Sequence, residues 1–251
     1  HIDNGRVDYR NRWVRTPKLE QEIALGHGLN LDININKDTG QLESNRRNGV
    51  ANTHILTHGD HLIALEEGSH PFSVDPQSLT SKGYGHYGDG INGAMTAHPK
   101  IDPETGELHG FGYMTDHFGS KTMTYHVIDR SGRTLRSDVF EAPYAAMIHD
   151  FVMTRDYVLF PIFPLTCDMS RIATIGFPFA FDRSVGAYIG VLKRDAPVSQ
   201  IRWLAAPVCF VFHYLNAWND GPKVTFDAID FPVAPNFPSA DGSNPAHAAA
   251  Q

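Results

Sequence analysis

Three histidines stand at similar places in three similar stretches. His98 lies in Thr96-Ala97-His98-Pro99-Lys100, His149 in Met147-Ile148-His149-Asp150-Phe151, and His213 in Phe212-His213-Tyr214-Leu215-Asn216-Ala217. Each is followed by a short apolar run, a polar turn and a second apolar run. After His98 the turn is Asp102-Pro103-Glu104-Thr105-Gly106, in which proline fixes φ and glycine accepts positive φ. Pro99 has no donor for a sheet ladder, which places His98 at the start or edge of a strand. Imidazoles that converge with no cysteine partner and no H-E-x-x-H helix suit Zn, Cu, Fe or Ni. The plainer reading is that the three rings cap strands.

A ligating imidazole needs its second ring nitrogen held by an acceptor, often a carboxylate. Leu65-Glu66-Glu67-Gly68 offers two candidates at the end of an apolar run, although acids there are commonly solvated. Asp150 follows His149 directly. Alternation along a strand turns it to the opposite face, so it is not counted as a ligand. His54 occupies a place similar to that of the three histidines and is read as a decoy. His58, His61, His70, His86, His109, His117 and His126 fall in or near turns and are read as solvated.

The elements that must position these rings are short strands. The hairpin signal His58-Gly59-Asp60 separates two apolar runs, and strands are expected at 108–114, 123–128, 134–140, 185–192 and 201–203. Residues 6–15 alternate and read as a strand, 17–29 as a short helix or irregular crossing, 30–49 as a loop, and 234–251 as a loop or frayed tail. His1-Ile2-Asp3-Asn4-Gly5 reads as the middle of a hairpin. No long amphipathic helix is visible. Many short strands with close turn signals fit a sandwich, a barrel or a propeller. The histidines recur after 51 and then 64 residues, near the four-strand period of a propeller blade.

The 251 residues, of ordinary apolar content, suffice for one large domain. A net charge of −7 argues against nucleic acid or an anionic membrane as partner. Cys167 and Cys209 form no framework, so reduced cysteines and a cytoplasmic location are expected. No apolar run is long enough to span a bilayer as a helix.

With these residues in view, the chain resembles the carotenoid cleavage oxygenase family, in its bacterial lignostilbene dioxygenase and isoeugenol monooxygenase branch. The three histidine stretches carry the likeness, with Leu65-Glu66-Glu67-Gly68, Val74-Asp75-Pro76, Gly186-Ala187-Tyr188-Ile189-Gly190-Val191-Leu192 and Ile201-Arg202-Trp203. The resemblance implies an all-β fold, a seven-bladed β-propeller with Fe(II) on its axis held by four histidines. His98, His149 and His213 match the first three. The fourth match lies beyond the last residue, and the family's first blade segment is absent. The expectation is therefore a single propeller domain over 1–251, truncated at both ends. Glu67 matches a carboxylate that holds one ligand histidine, His149. Thr53 matches a threonine whose methyl shields one coordination position, and Phe210 an aromatic of the substrate cleft. The cluster Phe151, Phe160, Phe163, Phe177, Phe179 and Phe181 could wall a tunnel, although blade core is its ordinary use.

The implied activity is cleavage of an alkene C=C bond by O2 to two carbonyl products, with O2 and a hydrophobic alkene as partners. A propeller hydrolase with another metal and a non-enzymatic propeller scaffold are the alternatives. One departure concerns substrate. The lignostilbene and isoeugenol members carry a lysine directly before the carboxylate matched by Glu67, and here that position is Glu66. Their phenol-binding tyrosine has no clear match in 24–36. The expectation is an enzyme that does not depend on a phenolic hydroxyl.

Overall fold

The structure is a computed structural model and describes residues 2–29, 33–35, 42–44 and 46–241. Strands β1 (Ile2–Asp3) and β2 (Arg6–Val7) form the expected hairpin. Its turn residues Asn4 and Gly5 both have positive φ, the conformation a two-residue hairpin requires. The strand expected over 6–15 ends there. Helix α1 (Pro17–Leu25) is capped by the Thr16 hydroxyl, opens on proline and stops at Gly26 in the left-handed region. The stretch 30–49, expected as loop, holds a strand pair, β3 (Ile33–Ile35) and β4 (Leu42–Ser44).

Three antiparallel four-stranded sheets follow in chain order. The first contains β5 (His54–His58), β6 (His61–Leu65), β7 (Phe72–Val74) and β8 (Ser81–Tyr84). The second contains β9 (Lys100–Ile101), β10 (Leu108–Tyr113), β11 (Thr122–Ile128) and β12 (Thr134–Glu141). The third contains β13 (Val152–Met153), β14 (Tyr157–Ile162), β17 (Ala187–Lys193) and β18 (Arg202–Ala206). Between β14 and β17 the chain leaves this sheet for a separate pair, β15 (Leu165–Cys167) and β16 (Phe179–Phe181), with a short helix α2 (Ile172–Ile175) between them. That excursion is why the second histidine interval is longer than the first. A two-stranded ribbon, β19 (Phe210–Asp220) and β20 (Lys223–Phe231), closes the series.

The cores lie between successive sheets. Ile63, Leu65, Met95 and Leu108 fill one between the first and second. Phe111, Tyr125, Phe151 and Phe160 fill the next. Leu165, Phe181, Phe210 and Val211 fill a third beside the ribbon. The stretch 234–241 is no frayed tail. Phe181 donates its amide to Pro238 and accepts from Ala240, and Ser239 bridges to Phe181. Residues 242–251 lie outside the described residues.

Three histidines read as solvated are buried. His58, His109 and His126 are at most 3% exposed. Each ring has both nitrogens partnered, so burial costs little in lost hydrogen bonds. His58 accepts from the Tyr87 hydroxyl (2.7 Å) and donates to the Gly106 carbonyl (2.7 Å). His126 accepts from Ser137 (3.1 Å) and donates to the Ala94 carbonyl (3.0 Å). His109 donates to Tyr125 Oη (2.7 Å) and accepts from Arg194 (2.9 Å). Turn composition in the sequence identifies position along a strand, not the depth at which the turn packs.

Burial holds His126 and His109 down at about 4. Between pH 6.5 and 4 the unfolded chain therefore binds protons that the folded chain does not, and stability falls as pH falls. At about 1.4 kcal/mol per unit, each ring contributes a loss on the order of 3 kcal/mol by pH 4, and none above pH 6.5. Urea midpoints measured from pH 7.5 to 4.5 should drop steadily below pH 6.5. A midpoint that stays flat across this window would contradict the buried, neutral state of these rings.

Candidate metal centre

Each of the three histidines stands just before or within the first strand of its unit. His98 lies two residues before β9 and His149 three before β13. His213 departs from the expected strand-entry position, because it lies inside β19. There the ladder runs from Val211 opposite Asp230 directly to Tyr214 opposite Ala228, skipping Phe212 and His213. Such an irregularity re-aims a side chain that a regular strand would hold elsewhere.

The three rings meet. His98 Nε2 is 3.0 Å from His149 Nε2, which is 3.1 Å from His213 Nε2, and the three donor atoms lie within 4.8 Å of one another. Nitrogens about 2.1 Å from a common ion and at right angles would stand about 3.0 Å apart, so the two separations that involve His149 fit a bound metal. The ring planes are inclined by 62°, 88° and 72°, which aims lone pairs inward and prevents stacking. Burial first, then the facing His149 ring, lowers His98 to about 4, and burial lowers His213 as well. At neutral pH both are uncharged with a lone pair to offer. Among the described residues this is the group of side chains that could hold an ion.

Glu67, not Glu66, takes the far side. His149 donates Nδ1–H to Glu67 Oε2 at 2.9 Å, which fixes its tautomer and leaves the Nε2 lone pair toward the other two rings. His54 stacks on His98 with centroids 6.1 Å apart and directs Nδ1 to the Ala97 carbonyl (2.7 Å). It stands beside the site without joining it. Thr53 is exposed, with its hydroxyl on Asn52 and its amide on the Leu65 carbonyl. Phe210 is 1% exposed and packs edge-on against Phe212 (4.7 Å), which packs edge-on against His149 (5.6 Å).

Glu67 also lines a cavity of about 390 Å³. Its walls are largely apolar: Met147, Phe118, Phe177, Phe179 and Phe237 face it. Of the aromatic cluster expected to wall a tunnel, only Phe177 and Phe179 do so. Phe151 and Phe160 belong to the core between the second and third sheets, Phe163 and Phe181 to the core beside the ribbon. Phe118 escaped the sequence reading because it sits alone in a polar turn, and Phe237 because it lies in the proline-rich stretch read as a loop or tail. Tyr113 lies on the wall as well, and burial first, then the charge of Glu67, pushes its phenol far above the ordinary range. Glu66 is part of the same wall. It folds back to accept the Gly68 amide (3.1 Å), and at Gly49 a Cβ would come within 2.2 Å of its carboxylate.

The model of the retinal pigment epithelial membrane protein family matches residues 1–251. The isoeugenol monooxygenase of Pseudomonas nitroreducens is 37% identical over 246 residues, covering 97% of this chain and 51% of that protein. A lignostilbene-alpha,beta-dioxygenase, isozyme III, of Sphingomonas paucimobilis is 32% identical, covering 96% and 50%. Among solved structures, the lignostilbene dioxygenase of Pseudomonas brassicacearum superposes with a TM-score of 0.85 at 33% identity, covering 98% of this chain and 52% of that one. Cobalt-substituted Synechocystis ACO gives 0.73 at 26%, covering 92% and 50%. The chain thus spans about half the length of the relatives it matches. With a family match along its whole length and a fold shared with a lignostilbene dioxygenase, it belongs to the retinal pigment epithelial membrane protein family, that of the carotenoid cleavage oxygenases.

Proposed function

We propose that the chain carries the histidine core of a non-haem Fe(II) centre whose protein cleaves an alkene C=C bond with O2, giving two carbonyl products. The reading takes the three sheets and the ribbon as consecutive blades of a seven-bladed propeller, one domain over 1–251. The observation that carries it is the double position of Glu67, which holds His149 and at the same time lines the apolar cavity. The point on which the imidazoles converge therefore adjoins a space fit for a hydrophobic substrate. Bound by neutral imidazoles, Fe(II) keeps its full charge and supplies the one-electron chemistry by which O2 reacts with an alkene. His98, His149 and His213 hold it, and Glu67 keeps the His149 proton on Nδ1. In this reading the Thr53 methyl shields one side of the centre. Phe210 backs Phe212 at the cleft, and the phenylalanine wall excludes water.

The wall also bears on substrate. Glu66 places a carboxylate where a substrate would lie, and a neighbouring negative charge raises the pKa of a phenol. The cations of the same wall are engaged. Lys18 donates to Glu22 (2.7 Å) and to the Leu29 carbonyl (2.8 Å), and Arg46 donates to the carbonyls of Gly68 (3.0 Å) and Met114. At the Tyr113 phenol of this wall, burial and the charges of Glu67 and Glu66 outweigh the opposing Arg46 charge, so the arrangement on balance disfavours a phenolate, and the substrate is an alkene that needs no free phenolic hydroxyl. The test is a pair of stilbenes, one with the free 4-hydroxyl and one with its methyl ether, followed by O2 uptake and aldehyde release. Comparable turnover of the two is expected. Strong activity on the phenol with none on the ether would overturn this assignment.

A further inference from the structure

The sequence set Asp150 aside as a non-ligand, and its carboxylate bonds to Lys100 and to the Phe151 and Tyr214 amides. Its surroundings give it another task. The side chain is 3% exposed, and both oxygens are occupied. Oδ1 accepts from Lys100 Nζ at 2.7 Å and from the Phe151 amide at 2.8 Å. Oδ2 accepts from the Tyr214 amide at 3.1 Å. Lys100 is two residues beyond His98, Asp150 is next to His149, and Tyr214 is next to His213. One carboxylate thus joins the three segments that carry the imidazoles, each from a different sheet.

We infer that Asp150 is a positioning residue that sets the separation of the three imidazoles through Lys100 and the Tyr214 amide. The inference rests on the metal reading above. Apolar packing between sheets is non-directional and does not by itself fix a 3 Å triad. Hydrogen bonds to an ionised carboxylate are short and directional, and can. The Tyr214 contact falls where the β19 ladder skips Phe212 and His213, so the carboxylate anchors the strand just where its own pairing lapses. Thr96 adds a second tie: its hydroxyl accepts the His98 amide (3.0 Å) and donates to the His149 carbonyl (3.4 Å).

The test is titration of the protein with Co(II) chloride, reading affinity and the d–d absorption band, beside thermal melts of the metal-free protein. Asp150→Ala should weaken Co(II) binding at least tenfold and shift the band, as loss of an outer hydrogen-bond partner of a metal site does. Asp150→Asn keeps one acceptor oxygen and should fall between this variant and the unsubstituted protein. Lys100→Met removes one tie from a partly exposed position and should weaken binding a few-fold in the same direction. It carries the test if Asp150→Ala fails to fold. Folded variants that melt lower yet bind Co(II) with unchanged affinity and an unchanged band would overturn the inference while leaving the metal centre standing. An unsubstituted protein that binds no Co(II) would overturn both.

Discussion

Replacing His149 with alanine should empty the metal centre. His149 is the middle member of the triad: its Nε2 is within 3.1 Å of the Nε2 atoms of both other rings, and its Nδ1 is the one tied to Glu67. Removing it leaves two imidazoles whose donor atoms no longer flank a third. Loss of an outer hydrogen-bond partner alone costs 10- to 100-fold in metal affinity, so loss of a ligand should exceed about 100-fold. After loading with Fe(II) and dialysis, His149→Ala should retain under a tenth of the metal held by the unsubstituted protein, with activity falling in proportion. His54→Ala is the matched control, since His54 stacks on the same cluster but spends Nδ1 on the Ala97 carbonyl. It should keep most of its metal. Full metal content in His149→Ala would remove the assignment of the centre.

The triad was legible because it repeats. Three histidines followed by the same succession of short strand, turn and strand are visible without coordinates. What surrounds them was only partly legible. Alternation places Asp150 on the face opposite His149, but it cannot show that Lys100 and Tyr214 wait on that face. Glu66 and Glu67 are indistinguishable in composition; the family resemblance singles out Glu67, and the structure parts their contacts where the chain leaves β6. The irregularity at His213 depends on register with β20, a tertiary property. The strand pair within 30–49 and the packed stretch 234–241 were misread for a common reason. Both are rich in residues typical of loops, yet backbone groups pair irrespective of side chain when a neighbouring edge is presented.

The aromatic residues give the same contrast a measurable form. Phe160 and Phe177 look alike in the sequence, but Phe160 is fully buried and Phe177 is 40% exposed on the cavity wall. Phe160 lies on β14 with Phe111, Tyr125, Phe140 and Phe151 around it at centroid distances of 5.0 to 6.3 Å. Three of these belong to the second sheet, so the ring occupies the seam between the sheets that present His98 and His149. Phe160→Ala should cost about 3–5 kcal/mol, the usual loss for a buried phenylalanine whose cavity cannot collapse. In a chain of this size that lowers Tm by roughly 10 °C. Phe160→Leu, which keeps most of the volume, should cost under about 1.5 kcal/mol. Phe177→Ala should change stability by less than Phe160→Ala while weakening binding of a hydrophobic alkene, because its ring faces the cavity. Equal losses of stability at 160 and 177 would mean that the seam is not held by this cluster, leaving the hydrogen bonds of Asp150 and Thr96 as the ties between the His98 and His149 segments.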